Sequence, residues 1–228
     1  MTEVQLPAEP SGLAFDPSRS ALIVIDMQRD FLEPGGFGET LGNDVSLLQA
    51  AVGPCRKAIA AARAAGMLVI HTREGHRPDL SDAPPAKIAR GEPSKRIGDP
   101  GPMGRILIRG EPGHDIVEAL YPAEGEPVID KPGKGAFHQT DLMQMLGNAR
   151  VDTLFVAGVT TEVCVHTTIR EGNDRGFRCV ALGDACASYF PEFHRVGLEM
   201  IKAQGGIFGW VSDADNFAST LAEAAKAA

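Results

Sequence analysis

Short apolar runs rich in β-branched residues alternate along the chain with longer stretches in which apolar residues recur every three or four positions. The short runs are ALIVID (21–26), MLVIHT (67–72), PVID (127–130), TLFVAG (153–158), RCVALG (178–183) and IFGWVS (207–212). The longer stretches are the Ala-rich 45–66, then 115–121 (DIVEALY), 140–149, 163–176, 192–204 and a terminal 217–228. A run that is apolar at consecutive positions suits a strand covered on both faces, as in a parallel sheet. Parallel neighbours need crossover connections, and the intervening helical stretches supply them as right-handed βαβ units. The pattern predicts an α/β fold, a three-layer sandwich around a mostly parallel sheet of about six strands.

Residues 73–112 break this rhythm with seven prolines and six glycines in a polar stretch. A loop of that length inside a compact domain is commonly a lid or a subunit contact. The expected organisation is one domain over 1–228 with an insertion at 73–112.

Composition narrows the function. The balance of 22 basic against 30 acidic residues gives a net charge of −8, and no Lys/Arg cluster offers the footprint a nucleic acid or anionic membrane needs. No apolar stretch is long enough to span a bilayer, and the first twenty residues have neither a basic start nor an apolar core, so a cytoplasmic chain is expected. Four cysteines, Cys55, Cys164, Cys179 and Cys186, form no CxxC pair and suit neither a disulfide framework nor structural zinc. Small-molecule chemistry is the remaining expectation.

In an open parallel sheet, ligands bind beyond the carboxyl ends of the strands. Asp26 closes the first run, His71 sits at the end of the second, Lys131 follows the third, Cys164 comes just after the fourth and Asp184 follows the fifth. Any one of these has an ordinary structural explanation: a packed thiol for Cys164, a turn-capping carboxylate for Asp26, a solvated ammonium for Lys131. Together they make a nucleophile, a proton carrier and a cation. The segment VTTEVCVHTT (159–168) places Cys164 in the first turn of a helix for which Thr160 or Thr161 is a natural N-cap. Unpaired amides and the helix dipole there favour a thiolate and could also hold an oxyanion.

Three segments, DMQRDF (26–31), DKPGKGAF (130–137) and GVTTEVCVHTT (158–168), in this order and spacing resemble the isochorismatase-like cysteine hydrolases over nearly the whole chain. The resemblance implies a catalytic triad of Asp26, Lys131 and Cys164, with Lys134 as the competing lysine. It also implies a cis peptide at Val159–Thr160 and an oxyanion hole from the amides of Thr160 and Cys164. Retention of the cysteine points to amide or ureide cleavage, and the absence of an Asp-x-His pattern in HTREGHRPD (71–79) implies no metal and no cofactor, leaving His71 and His76 structural. Within the cysteine branch HTREGHRPDLSD, GRILIRGEPGHDI, REGNDRGF and AQGGIFG resemble the biuret and triuret amidohydrolases, which maps substrate-binding roles onto Phe31, Gln204 and Lys131. FGWVSD is similar to ureidoacrylate amidohydrolases. The expected substrate is a small neutral ureide, biuret or triuret first, losing ammonia through a thioester. The resemblance also implies a homo-oligomer, with a tetramer favoured.

Two rivals have their own sequence signals. Guanylurea would need counter-charges, for which Glu33, Glu39 and Asp44 are available. A thiol redox sensor would need a resolving cysteine, for which only Cys179 or Cys186 is at hand.

Overall fold

The computed structural model describes residues 3–227. Six strands form the central sheet: β1 (Ser20–Ile25), β2 (Leu68–Glu74), β3 (Val128–Lys131), β4 (Thr153–Val159), β5 (Arg178–Ala187) and β6 (Trp210–Ser212). Their spatial order is β6-β5-β4-β1-β2-β3, and every pairing is parallel. The main helices are α1 (Val52–Ala64), α2 (Leu142–Asn148), α3 (His166–Asp174), α4 (Pro191–Gly206) and α5 (Ala214–Ala227). Ala228, the last residue of the predicted terminal helix, lies outside the described residues.

The apolar runs are covered on both sides because successive side chains of a strand point to opposite faces. In β1, Leu22 and Val24 pack with Phe155, Val180, Phe217 and the α1 residues Ala58 and Ile59. Ala21, Ile23 and Ile25 pack on the other face with Leu142, Val165, Ile169 and Ile201. This is the three-layer sandwich the sequence predicts.

Three elements differ from the sequence expectation. Val4–Leu6 and Leu13–Phe15 form a small antiparallel hairpin where no strand was expected. DIVEALY is not a helix: only Glu118–Leu120 makes a 3₁₀ turn, because the backbone just before it bonds to the DMQRDF segment, Arg29 N–H to the Asp115 carbonyl at 2.9 Å and Val117 N–H to the Met27 carbonyl at 2.9 Å. β2 continues two residues past the apolar run to Glu74, and His71 lies in mid-strand. That extension changes which residue stands at the strand's end.

At the carboxyl ends β1 and β4 come close together. Gly158 has φ +113°, and a Cβ there would lie 2.1 Å from the Ile25 carbonyl oxygen, so only glycine fits. This close approach brings the residue after β1 and the turn after β4 into one site.

Candidate active site

Asp26, immediately beyond β1, has φ +49°, in the left-handed region that Asp tolerates better than most side chains. It is fully buried. Thr72 Oγ1 donates to its Oδ1 at 2.7 Å, and the Lys131 ammonium lies 2.7 Å from its Oδ2. Lys131 also donates to the Gly133 carbonyl at 3.1 Å. Burial alone would pull its pKa down, but the carboxylate of Asp26, with Cys164 and Glu74 nearby, holds the ammonium above its ordinary range. Lys131 is therefore a permanent cation.

Cys164 is buried in a π-helical turn, Thr161–Val165, with α3 beginning at His166. Thr160 is the N-cap residue but makes no side-chain capping bond, and the Thr161 hydroxyl is engaged by His194 Nδ1 at 2.7 Å. The Val159–Thr160 peptide is cis. The expectation of a thiol biased toward thiolate is corrected here. Burial pushes the Cys164 pKa well above its ordinary value, against the opposing pull of Lys131. The resting group is a thiol, and a base must take its proton.

The surprise in the site is Glu74. Its carboxylate lies at the thiol, which donates to Oε2 at 3.5 Å, and ligand atoms of Asp26, Glu74 and Cys164 all lie within 4.8 Å of one another. Lys134 donates to both Glu74 oxygens at 2.7 and 3.0 Å, and Lys87 lies 2.9 Å from Oε1. Burial would raise the Glu74 pKa, but Lys131, Lys134 and Lys87 bring it down to about 2. The two lysines of DKPGKGAF thus divide the work, Lys131 on Asp26 and Lys134 on Glu74. Glu74 could have been found from the strand-end rule had β2 been read to its full length.

The DMQRDF segment holds this cluster from beneath. Gln28 accepts the Glu74 N–H at 2.7 Å and donates to the Glu74 and His114 carbonyls, each at 3.0 Å. Asp30 is buried and accepts the Phe37 and Leu107 amides at 3.3 and 3.2 Å, which ties together the loops on either side of the site. Its pKa is raised by burial.

Asp26, Glu74 and Cys164 are the one group of three close metal-ligating side chains among the described residues. They fit a metal poorly, because the two carboxylates are already paired with three ammonium groups, and a further cation would meet that charge at close range.

The other residues singled out in the sequence lie elsewhere or serve local structure. Phe31 is partly buried against the core in the turn Arg29–Leu32, and its carbonyl accepts the Tyr189 hydroxyl at 2.7 Å. Gln204 is exposed, with φ +53° where α4 loses helical geometry. Its turn leads into the start of β6, where Trp210 pairs with Val180, whereas Cys164 follows the far end of β4. His71 pairs with Glu126 at 3.0 Å and His76 with Asp82 at 3.2 Å. Asp184 accepts the Ala214 amide at the start of α5. Of the three carboxylates considered as counter-charges, Glu33 is paired with Arg29, while Glu39 accepts the Gly35 amide and Asp44 accepts from Ser46. Cys179 and Cys186 are buried on β5, and burial pushes both thiols up to about 12, which suits packing and not thiol exchange.

A family model described as Isochorismatase domain matches residues 20–216. The chain is 35% identical over 222 residues to a ureidoacrylate amidohydrolase RutB of Serratia proteamaculans, covering 95% of this chain and 88% of that one. A second relative of that name, from Methylobacterium radiotolerans, is 34% identical, with coverages of 98% and 88%. Among solved structures, a cysteine hydrolase from Pseudomonas syringae pv. phaseolicola superposes with a TM-score of 0.80 at 31% identity, covering 98% of this chain and all of that one. An isochorismatase family protein from Desulfovibrio vulgaris gives 0.74 at 29% identity, over 90% of this chain and 98% of that one. Family model, relatives and fold agree: the chain belongs to the isochorismatase family.

Proposed function

We propose that the protein is a cysteine amidohydrolase that removes ammonia from the terminal ureido group of a small linear ureide. The observation that carries this reading is the buried thiol of Cys164 with the carboxyl groups of Asp26 and Glu74 and the ammonium of Lys131 gathered around it. Asp26 accepts the thiol proton, and the sulfur attacks the ureido carbonyl, whose π electrons move to oxygen. The amides of Thr160 and Cys164 hold that oxyanion. On collapse the C–N bond breaks, the Asp26 proton leaves with the nitrogen as ammonia, and a thioester remains on Cys164. Water gives a proton to Asp26, attacks the thioester, and the thiol is regenerated as the N-carboxylated product departs. Lys131 keeps Asp26 aligned and offsets the charge of each intermediate, while Glu74, whose pKa of about 2 makes it a weak base, orients the thiol.

Ureidoacrylate is the first substrate to test, supported by the relatives of that name. Biuret and triuret are the second reading, favoured by Glu74 at the thiol, which comes from the HTREGHRPDLSD segment that resembles the biuret group. Three lysines against two carboxylates disfavour a cationic ureide such as guanylurea. The test is ammonia release from ureidoacrylate, biuret, triuret and guanylurea at equal concentration. Turnover of at least one of the first three above guanylurea supports the reading, and absence of ammonia from all four overturns it.

A further inference from the structure

The 73–112 insertion is built in two unlike parts. Its stem is firmly tied. His76 N–H bonds the Leu107 carbonyl and Arg109 N–H bonds the His76 carbonyl, both at 2.9 Å, while Asp82 receives His76 Nδ1, the Arg77 amide and Arg109. The tip, residues 83–97, has no fully buried residue, and its backbone and side-chain hydrogen bonds are internal to the loop with one exception. That exception is Lys87, in the single turn Pro85–Ile88, whose ammonium bonds the Pro132 carbonyl and pairs with Glu74. Its side chain is 12% exposed and that of Glu74 is 1% exposed, so the contact reaches from the surface to the buried cluster.

The geometry points to Lys87 as a positioning residue: it latches the 83–97 tip as a lid over the catalytic cluster, closing access to it while the ammonium rests on Glu74 and the Pro132 carbonyl and opening it when those bonds break. A segment without core of its own has little to hold it in place beyond such a contact. Opening breaks two contacts of one ammonium, the hydrogen bond to the Pro132 carbonyl and the pair with Glu74, a scale suited to a lid that must move in every turnover. The closed position also adds the third cation to the group that holds Glu74 ionised beside the thiol. The latch is argued from the loop's contacts and does not depend on which ureide, if any, is cleaved.

The test compares Lys87→Met and Lys87→Arg with the wild type, using iodoacetamide alkylation of Cys164 across pH and brief trypsin digestion. The high-pH plateau of alkylation reports access to the thiol, and its midpoint reports the charge around it. For Lys87→Met the plateau should rise several-fold, and trypsin should cut faster after Arg90 and Lys95, with the melting temperature unchanged. Lys87→Arg should restore both. On the substrate that proves active, kcat/KM should fall about ten-fold in Lys87→Met and recover in Lys87→Arg. Wild-type plateau and cleavage rates in Lys87→Met would overturn the latch, as would an equal opening in Lys87→Arg. Failure of all ureides to react, with the alkylation and cleavage changes intact, would overturn the proposed reaction and leave the latch standing.

Discussion

The buried cluster around Cys164 and the tip of the insertion meet at the Lys87–Glu74 pair, and they are built on opposite principles. Asp26, Lys131, Glu74 and Cys164 come from four different segments at the sheet's carboxyl edge, each buried, and the side chains of the first three are each held by more than one partner. The 83–97 tip comes from one contiguous stretch, is largely exposed, and touches the cluster through Lys87. The difference teaches where rigidity is needed: proton transfer demands fixed distances, whereas entry and exit demand a part that can leave at small cost.

Breaking the rigid half should have the largest effect. Lys131→Met leaves the Asp26 carboxylate buried without its cation, which should cost roughly 3–5 kcal/mol of stability, as for other broken buried pairs, and abolish ammonia release. Urea unfolding and steady-state assay measure the two effects. Glu74→Gln removes the shared partner of Lys134 and Lys87 but can still accept the thiol. It should lower kcat by about two orders of magnitude, the range seen when a positioned polar group is lost, with a smaller stability loss than Lys131→Met. Equal stability losses in the two variants would erase the distinction between the carboxylate at the triad and the one beside it.

Acid should act on the same cluster. Glu74 has a folded pKa of about 2 against 4.5 ordinarily, so the native state binds fewer protons than the unfolded chain. Its contribution is therefore complete above pH of about 4.5 and is lost as pH falls through about 2. The full difference corresponds to about 3 kcal/mol. Urea midpoints measured downward from pH 5 should fall more steeply in the wild type than in Glu74→Gln, and parallel curves would show that Glu74 does not drive the acid limb.

Much of this architecture is legible in the sequence because burial writes it there. The consecutive apolar positions of β1 and β4 can only mean strands covered on both faces, and the strand-end rule then marks Asp26, Lys131 and the turn with Cys164. What escaped has physical reasons. Glu74 follows Arg73 in a polar stretch, so the apolar signal of β2 fades before the strand does. DIVEALY has helical spacing, but pairing with the DMQRDF backbone decides its conformation. Cys164 stands at a helix start, which favours thiolate, yet burial outweighs that effect and only coordinates reveal how deep the thiol lies. Gln28, Asp30 and Lys87 act through long-range contacts that no local pattern announces.

The central claim is that Cys164 carries the reaction. Rapid acid quench of the enzyme during turnover of its active ureide, followed by mass analysis of the Cys164 peptide, tests it directly. The expected result is an acyl adduct on that peptide that disappears as substrate is exhausted, and neither adduct nor turnover in Cys164→Ala. Ammonia released at the wild-type rate by Cys164→Ala would contradict it.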